Sequence, residues 1–263
     1  MATNSTLEYH FLFLVRYFTA GALDIYNCLH VRVLDSIFAY NRAELLIRTS
    51  PFRGNAGGIA VGLYRSPFNE STAIIHLENS TFVQNRAEPV GMDIVSSSDL
   101  IPRGIFAGRG GGVGMYVQQD STVNTTIQSC RFEGNYATTF GGGVYIILDG
   151  GLMNHSLVIT SSEFVDNESG DGGGGLNIGF LYFRYTVPSV SIMKCYFANN
   201  QATYGGGAYV YPGIGVGNGY TVVFKNCTFV RNRAEKYGAA LGLISLDFFD
   251  PQSEYAPYNI HNW

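Results

Sequence analysis

The chain has 263 residues, 46% hydrophobic and 14% charged, with a formal net charge of -4. That composition supplies a buried core and excludes disorder. Singly scattered Lys and Arg exclude the clustered basic stripe that a nucleic-acid or anionic-membrane partner would require.

No apolar run reaches the roughly 18 residues of a membrane span. The strongest, "FLFLV" at 11–15, ends at Arg16 and is too short for a secretory leader. Seven Asn-x-Ser/Thr sequons nevertheless occur, at Asn4, Asn69, Asn79, Asn124, Asn154, Asn167 and Asn226. This exceeds what the composition gives by chance and predicts a glycosylated, extracellular or cell-surface chain.

In chain order, one pattern returns six times: "SIFAYNRA" at 36, "STFVQNRA" at 80, "CRFEGNYA" at 130, "SEFVDNES" at 162, "CYFANNQA" at 195 and "CTFVRNRA" at 227. Each contains Phe-x-x-Asn. The phenylalanines are Phe38, Phe82, Phe132, Phe164, Phe197 and Phe229, and the asparagines Asn41, Asn85, Asn135, Asn167, Asn200 and Asn232. Repeats are regular over about 115–245, whereas the first two carry insertions. A glycine cluster follows each motif, as at Gly141 to Gly143, and an apolar stretch such as "VYIIL" follows the glycines. A further Phe-x-x-Asn, "FRGN" at 52, does not fit the spacing.

The period within a repeat identifies the unit. Five residues before each Phe stand Val33, Leu77, Ile127, Ile159, Ile192 and Phe224, and seven before stand Val31, Ile75, Thr125, Leu157, Val190 and Val222. They alternate as a half-buried strand must. Three before come Asp35, Asn79, Ser129, Ser161, Lys194 and Asn226, all polar, and two before come Ser36, Ser80, Cys130, Ser162, Cys195 and Cys227. The buried set thus switches parity across the polar position, which a straight strand cannot do without turning its face outward. A corner there resolves the conflict.

Three short strands per repeat, with nothing of helical period, describe a coil that buries its face only by stacking on its neighbours. The predicted fold is all-β, a right-handed parallel β-helix of about six coils in a single domain over 1–263. The asparagines form an expected amide ladder, adopting the left-handed backbone region at the turn, and the phenylalanines an inward stack. Residues near 21 and near 258 read as parts of neighbouring repeats, so both ends look truncated.

These motifs resemble the repeats of the polymorphic outer membrane proteins, surface adhesins defined by "FxxN" and "GGA[ILV]" tetrapeptides. They are also similar to right-handed β-helix regions of large extracellular eukaryotic proteins within the pectin-lyase-like fold, and sequon density favours that glycosylated version. The resemblance implies a non-enzymatic surface solenoid with a structural or adhesive role. It also implies an alternative, a polysaccharide lyase or glycosidase of the same fold, and a second alternative, a glycan-binding module.

Against catalysis, no acidic pair recurs in register, and His10, His30, His76, His155 and His261 fall at unrelated coil positions. The glycine clusters lack the Lys of a phosphate-binding loop. The acids of "DNESGDGGGG" at 166 make one polar turn, and no metal or cofactor is expected. Cys195 and Cys227 lie on adjacent coils at a spacing compatible with a disulfide, but Ser in the same slot elsewhere favours buried free thiols. Tyr145 and Tyr209, outward at equivalent positions, are candidates for stacking on sugars. Binding to glycans or surface proteins is expected in the variable loops at 44–56, 88–110, 149–156, 180–188 and 211–220, since loops on a rigid scaffold carry specificity.

Overall fold

In the computed structural model the described residues are 19–26, 30–46, 55–63, 72–90, 108–119, 122–150, 155–181, 188–212, 220–243 and 259–262. Strands wind into a right-handed parallel β-helix whose six coils each visit four sheets in turn. In the third coil these strands are Val123–Gln128 in sheet A, Arg131–Glu133 in sheet B, Tyr136–Ala137 in sheet C and Val144–Gly150 in sheet D. Each strand pairs in parallel with its counterparts one coil before and after, giving sheets of seven, six, six and seven strands. Leu23–Tyr26 lies ahead of the first full coil in sheet D, and Asn259–Asn262 follows the sixth in sheet A.

The expected three strands per coil are therefore four. The missed one follows the ladder asparagine and is as short as Tyr136–Ala137 and Glu168–Ser169. Its signature was the Ala that ends most copies of the motif: Ala43, Ala87, Ala137 and Ala202 are buried in this row. Of the "FRGN" copy only Asn55 is among the described residues. Asn55–Ala56 pairs with Thr19–Ala20 in a separate two-stranded sheet.

The switch of parity has its corner. Asp35, Asn79, Ser129, Ser161, Lys194 and Asn226 all adopt positive φ, between 48° and 54°. The next residue, at the small slot, turns inward and binds the corner: Ser36, Ser80 and Ser162 Oγ donate to the carbonyl two residues earlier at 2.7, 2.8 and 2.9 Å.

The second corner corrects an expectation. The ladder asparagine is not the left-handed residue; the one before it is, namely Tyr40, Gln84, Gly134, Asp166, Asn199 and Arg231. A left-handed non-glycine costs roughly 1–2 kcal/mol, and the asparagine offsets that cost by hydrogen bonding. Asn135 Nδ2 donates to Phe82 O in the preceding coil at 2.8 Å and to Asn167 Oδ1 in the next at 3.0 Å, while Asn135 N also donates to Asn167 Oδ1 at 3.0 Å. Asn85, Asn167 and Asn200 repeat the same bonds. Asn41 donates to Asn85 Oδ1, and Asn232 Nδ2 to Phe197 O. Every amide valence of the four central residues is satisfied, which is what permits their burial.

Beside this ladder run the phenylalanines. Successive rings from Phe38 to Phe229 lie 5.1, 4.9, 5.0, 4.7 and 4.7 Å apart and within 12° of parallel. Burying each ring is worth roughly 2–3 kcal/mol, and stacking adds about 1 kcal/mol per pair.

Candidate functional site

The glycine clusters are consumed by the fold. Gly141 has φ +68°, which favours glycine. A Cβ on Gly142 would lie 2.4 Å from both Glu168 O and Gly174 O. The N–H groups of Gly141, Gly142, Gly143 and Val144 donate to Gly172, Gly173, Gly174 and Gly175 carbonyls at 2.9–3.1 Å. An anion cradle needs such donors free; here they hold the next coil.

The four corners differ in what they can carry. A to B and B to C are fixed two-residue turns, as at 129–130 and 134–135. D to A varies in every coil, through residues 64–72, 120–122, 151–154, 182–188 and 213–220. C to D is lengthened in the first two coils, at 47–54 and 91–107. All the loops expected to carry specificity thus leave from the two corners that flank sheet D. The central residues of those loops lie outside the described residues.

Sheet D is distinctive between those corners. In sheet A inward and outward residues alternate, as in the buried and partly exposed positions of Ala73–Glu78. In sheet D both faces are buried, as along Ile59–Leu63. Its outer face is a second apolar cluster of Tyr116, Phe140, Tyr145, Ile147 and Tyr209.

Tyr145 and Tyr209 are accordingly not open to a sugar: they are 4% and 5% exposed. Tyr145 packs against Phe140, 6.2 Å between centroids, and Tyr209 against Tyr204 and Tyr211 at 6.0 and 5.8 Å. On this sheet an outward position is not an exposed one. Asn177, between them in register, is buried and donates from Nδ2 to Gly172 O at 3.2 Å. Gly172 leaves the space into which the Tyr209 ring leans, since a Cβ there would lie 2.5 Å from that ring.

Arg109 enters this cluster from the C to D corner. Its guanidinium lies over the Phe140 and Tyr145 rings at 5.1 and 5.0 Å and donates to Tyr145 Oη. Burial pushes the Tyr145 hydroxyl well above its ordinary range against the pull of Arg109, so the phenol stays neutral. Tyr116 Oη donates to Asp149 Oδ2 at 3.0 Å. Sequence reasoning missed Arg109, because it lies just before a glycine cluster in an insertion and has no counterpart in other repeats.

Among the described residues, the carboxylates that pair with arginine are Glu88, Glu133 and Glu163. Arg131 bonds both Glu133, at 2.9 Å, and Glu163 of the next coil. The hydrogen bond from Arg131 holds Glu133 below its ordinary range. At Glu88 burial opposes ionisation, but hydrogen bonds from Arg86 and Arg42 outweigh it and lower the pKa. Glu133 and Glu88 are thus held ionised, whereas burial raises Asp24, in the strand ahead of the first full coil, to about 6. Among the described residues no three His, Cys, Asp or Glu side chains gather into a metal-binding group.

Of the sequons, Asn79, Asn124 and Asn226 are exposed, whereas Asn167 is buried in the ladder. Asn4, Asn69 and Asn154 lie outside the described residues. Cys130, Cys195 and Cys227 are free thiols.

Residues 129–147 match the Chlamydia polymorphic membrane protein repeat. The match runs from the left-handed corner at Ser129 through Phe132, Asn135 and the glycine cluster into the start of the sheet D strand, and so covers the recurring part of one coil without its sheet A strand. No curated protein and no solved structure matches the chain.

Proposed function

We propose that this chain is a non-enzymatic cell-surface solenoid, a rod that holds a row of variable loops for adhesion or attachment. The observation that carries the reading is the division of the coil. Two corners, the ladder and the Phe stack are invariant and internally satisfied, while chain-length variation is confined to the two corners beside sheet D. Such a scaffold can change loops without touching its core. The polymorphic membrane protein repeat supports a surface or outer-membrane location. Exposed sequons at Asn79, Asn124 and Asn226 accord with an extracellular face.

Against a glycosidase working through these pairs, Glu88 and Glu133 are held ionised by arginines, so neither serves as the proton donor. With Tyr145 and Tyr209 buried, glycan recognition on this chain falls to the loops. Two assays test the proposal. Beads coated with the chain are expected to adhere to cells, and the chain is expected to leave polygalacturonate and other acidic polysaccharides uncleaved. Depolymerisation with the acids of the Arg131 cluster required for it would reverse the assignment.

A further inference from the structure

The small slot after the first corner holds Ser36, Ser80, Cys130, Ser162, Cys195 and Cys227 in successive coils. Serine serves the corner well, so the structure does not require cysteine there. What distinguishes the last two positions is that they are neighbours. Cys130 stacks between Ser80 and Ser162, whereas Cys195 stacks directly on Cys227.

The register fixes their approach. Tyr196 pairs with Thr228 and Phe197 with Phe229, so the preceding Cα atoms stand about 4.8 Å apart, the spacing of paired strands. That lies inside the range a disulfide spans. The side chains are parallel. Cys195 Sγ points to Met193 O and Ile159 O at 3.3 and 3.6 Å, and Cys227 Sγ to the equivalent Lys225 O and Ile192 O at 3.6 and 3.4 Å.

We infer that Cys195 and Cys227 are a site of thiol–disulfide exchange, at which a small-molecule disulfide such as oxidised glutathione converts the stacked pair into an inter-coil disulfide. Cys227, half-buried, is the point of entry; Cys195, buried, resolves it. The Cys227 thiolate attacks one sulfur of the reagent, forming a mixed disulfide and releasing one thiolate. The Cys195 thiol then loses its proton and attacks Cys227 Sγ, releasing the second. Two protein thiols are oxidised and one small disulfide is reduced to two thiols, so electrons balance. A hydrogen bond from the Cys195 thiol lowers Cys227 despite burial, and the same bond, with burial, raises Cys195. Burial raises Cys130 to about 11.

The native chain is incubated with oxidised glutathione at pH 7 and mapped by peptide mass spectrometry, scoring each cysteine separately. The expected product has lost two hydrogens, links Cys195 to Cys227 and leaves Cys130 reduced. In Cys195→Ser, glutathione is expected to remain on Cys227; in Cys227→Ser, neither slot position reacts. With iodoacetamide, Cys227 is expected to react at least tenfold faster than Cys130, because it is half-buried where Cys130 is buried and its pKa is lowered where that of Cys130 is raised. A glutathione adduct that persists on Cys227 of the native chain, no reaction at Cys227, or equal reaction at Cys130 would overturn the inference. Serine already fills this slot in three coils, so both variants are expected to fold, and the native-chain mapping stands without them.

Discussion

Asn167 accepts two hydrogen bonds from Asn135 through a single oxygen, from the backbone N–H and from Nδ2, both at 3.0 Å. The bond from the backbone anchors the corner and the bond from the side chain passes the pattern to the next coil. Asn167 Nδ2 then donates to Phe132 O and to Asn200 Oδ1 at 2.9 and 3.0 Å. Because the group is buried, each lost partner leaves an unpaired polar atom away from water.

Replacing Asn167 by Asp keeps the shape and the acceptor but removes both donations and sets a carboxylate against two oxygens. The expected loss is about 3–5 kcal/mol in urea unfolding. Asn232→Ala, at the half-buried end of the ladder, removes the acceptor of Asn200 N and Nδ2 and is expected to cost less, about 2 kcal/mol. In NMR, the side-chain amide protons of Asn85, Asn135, Asn167 and Asn200 should exchange far more slowly than those of exposed asparagines.

The glycine positions separate into two kinds. Gly142→Ala places a methyl group 2.4 Å from two backbone oxygens, so the coils must part; a loss above about 3 kcal/mol is expected. Gly134 also has positive φ, 61°, but a Cβ there would meet only Gln84 Cγ at 3.3 Å. Asp166 and Asn199 hold the equivalent corner in other coils. Gly134→Asn is therefore expected to change stability by less than about 1 kcal/mol.

Much of this was legible in the sequence, and the reasons are specific. The Phe and Asn rows recur because identical residues stack on each other, so six copies reveal what one cannot. The parity switch at Ser129 marked the first corner because a strand cannot turn its buried face outward. The strand Tyr136–Ala137 was missed because two residues carry no period. The left-handed residue was misplaced by one because Tyr40, Gln84, Asp166 and Arg231 share no residue type; the hydrogen bonds, not the φ angle, select asparagine. The burial of Tyr145 was missed because it depends on Arg109 and Phe140, which arrive from another corner.

His155 faces inward in the row of Ala73 and Val123, and its Nε2 lies 3.4 Å from Asp149 O. Burial lowers its pKa from 6.5 to about 4. The unfolded chain therefore binds the proton first, and stability falls as pH drops from about 6.5 to about 4, by up to about 3 kcal/mol. Thermal melts of His155→Val should lose that slope while remaining stable at pH 7.

Glycosylation provides a check on which asparagines face outward. Expression through a eukaryotic secretory route should place glycan on Asn79, Asn124 or Asn226, each exposed. Glycan on Asn167 in the folded chain would contradict its place in the ladder.

The most direct measurement is adhesion after loop replacement. Residues 182–187 and 213–219 are exchanged for the shorter connection at 151–154, and cell adhesion and melting are measured together. Adhesion is expected to fall at least tenfold with melting unchanged, because the loops bind and the coils only support them. Adhesion that survives the exchange but is lost on substituting exposed residues of sheets A to C would contradict it.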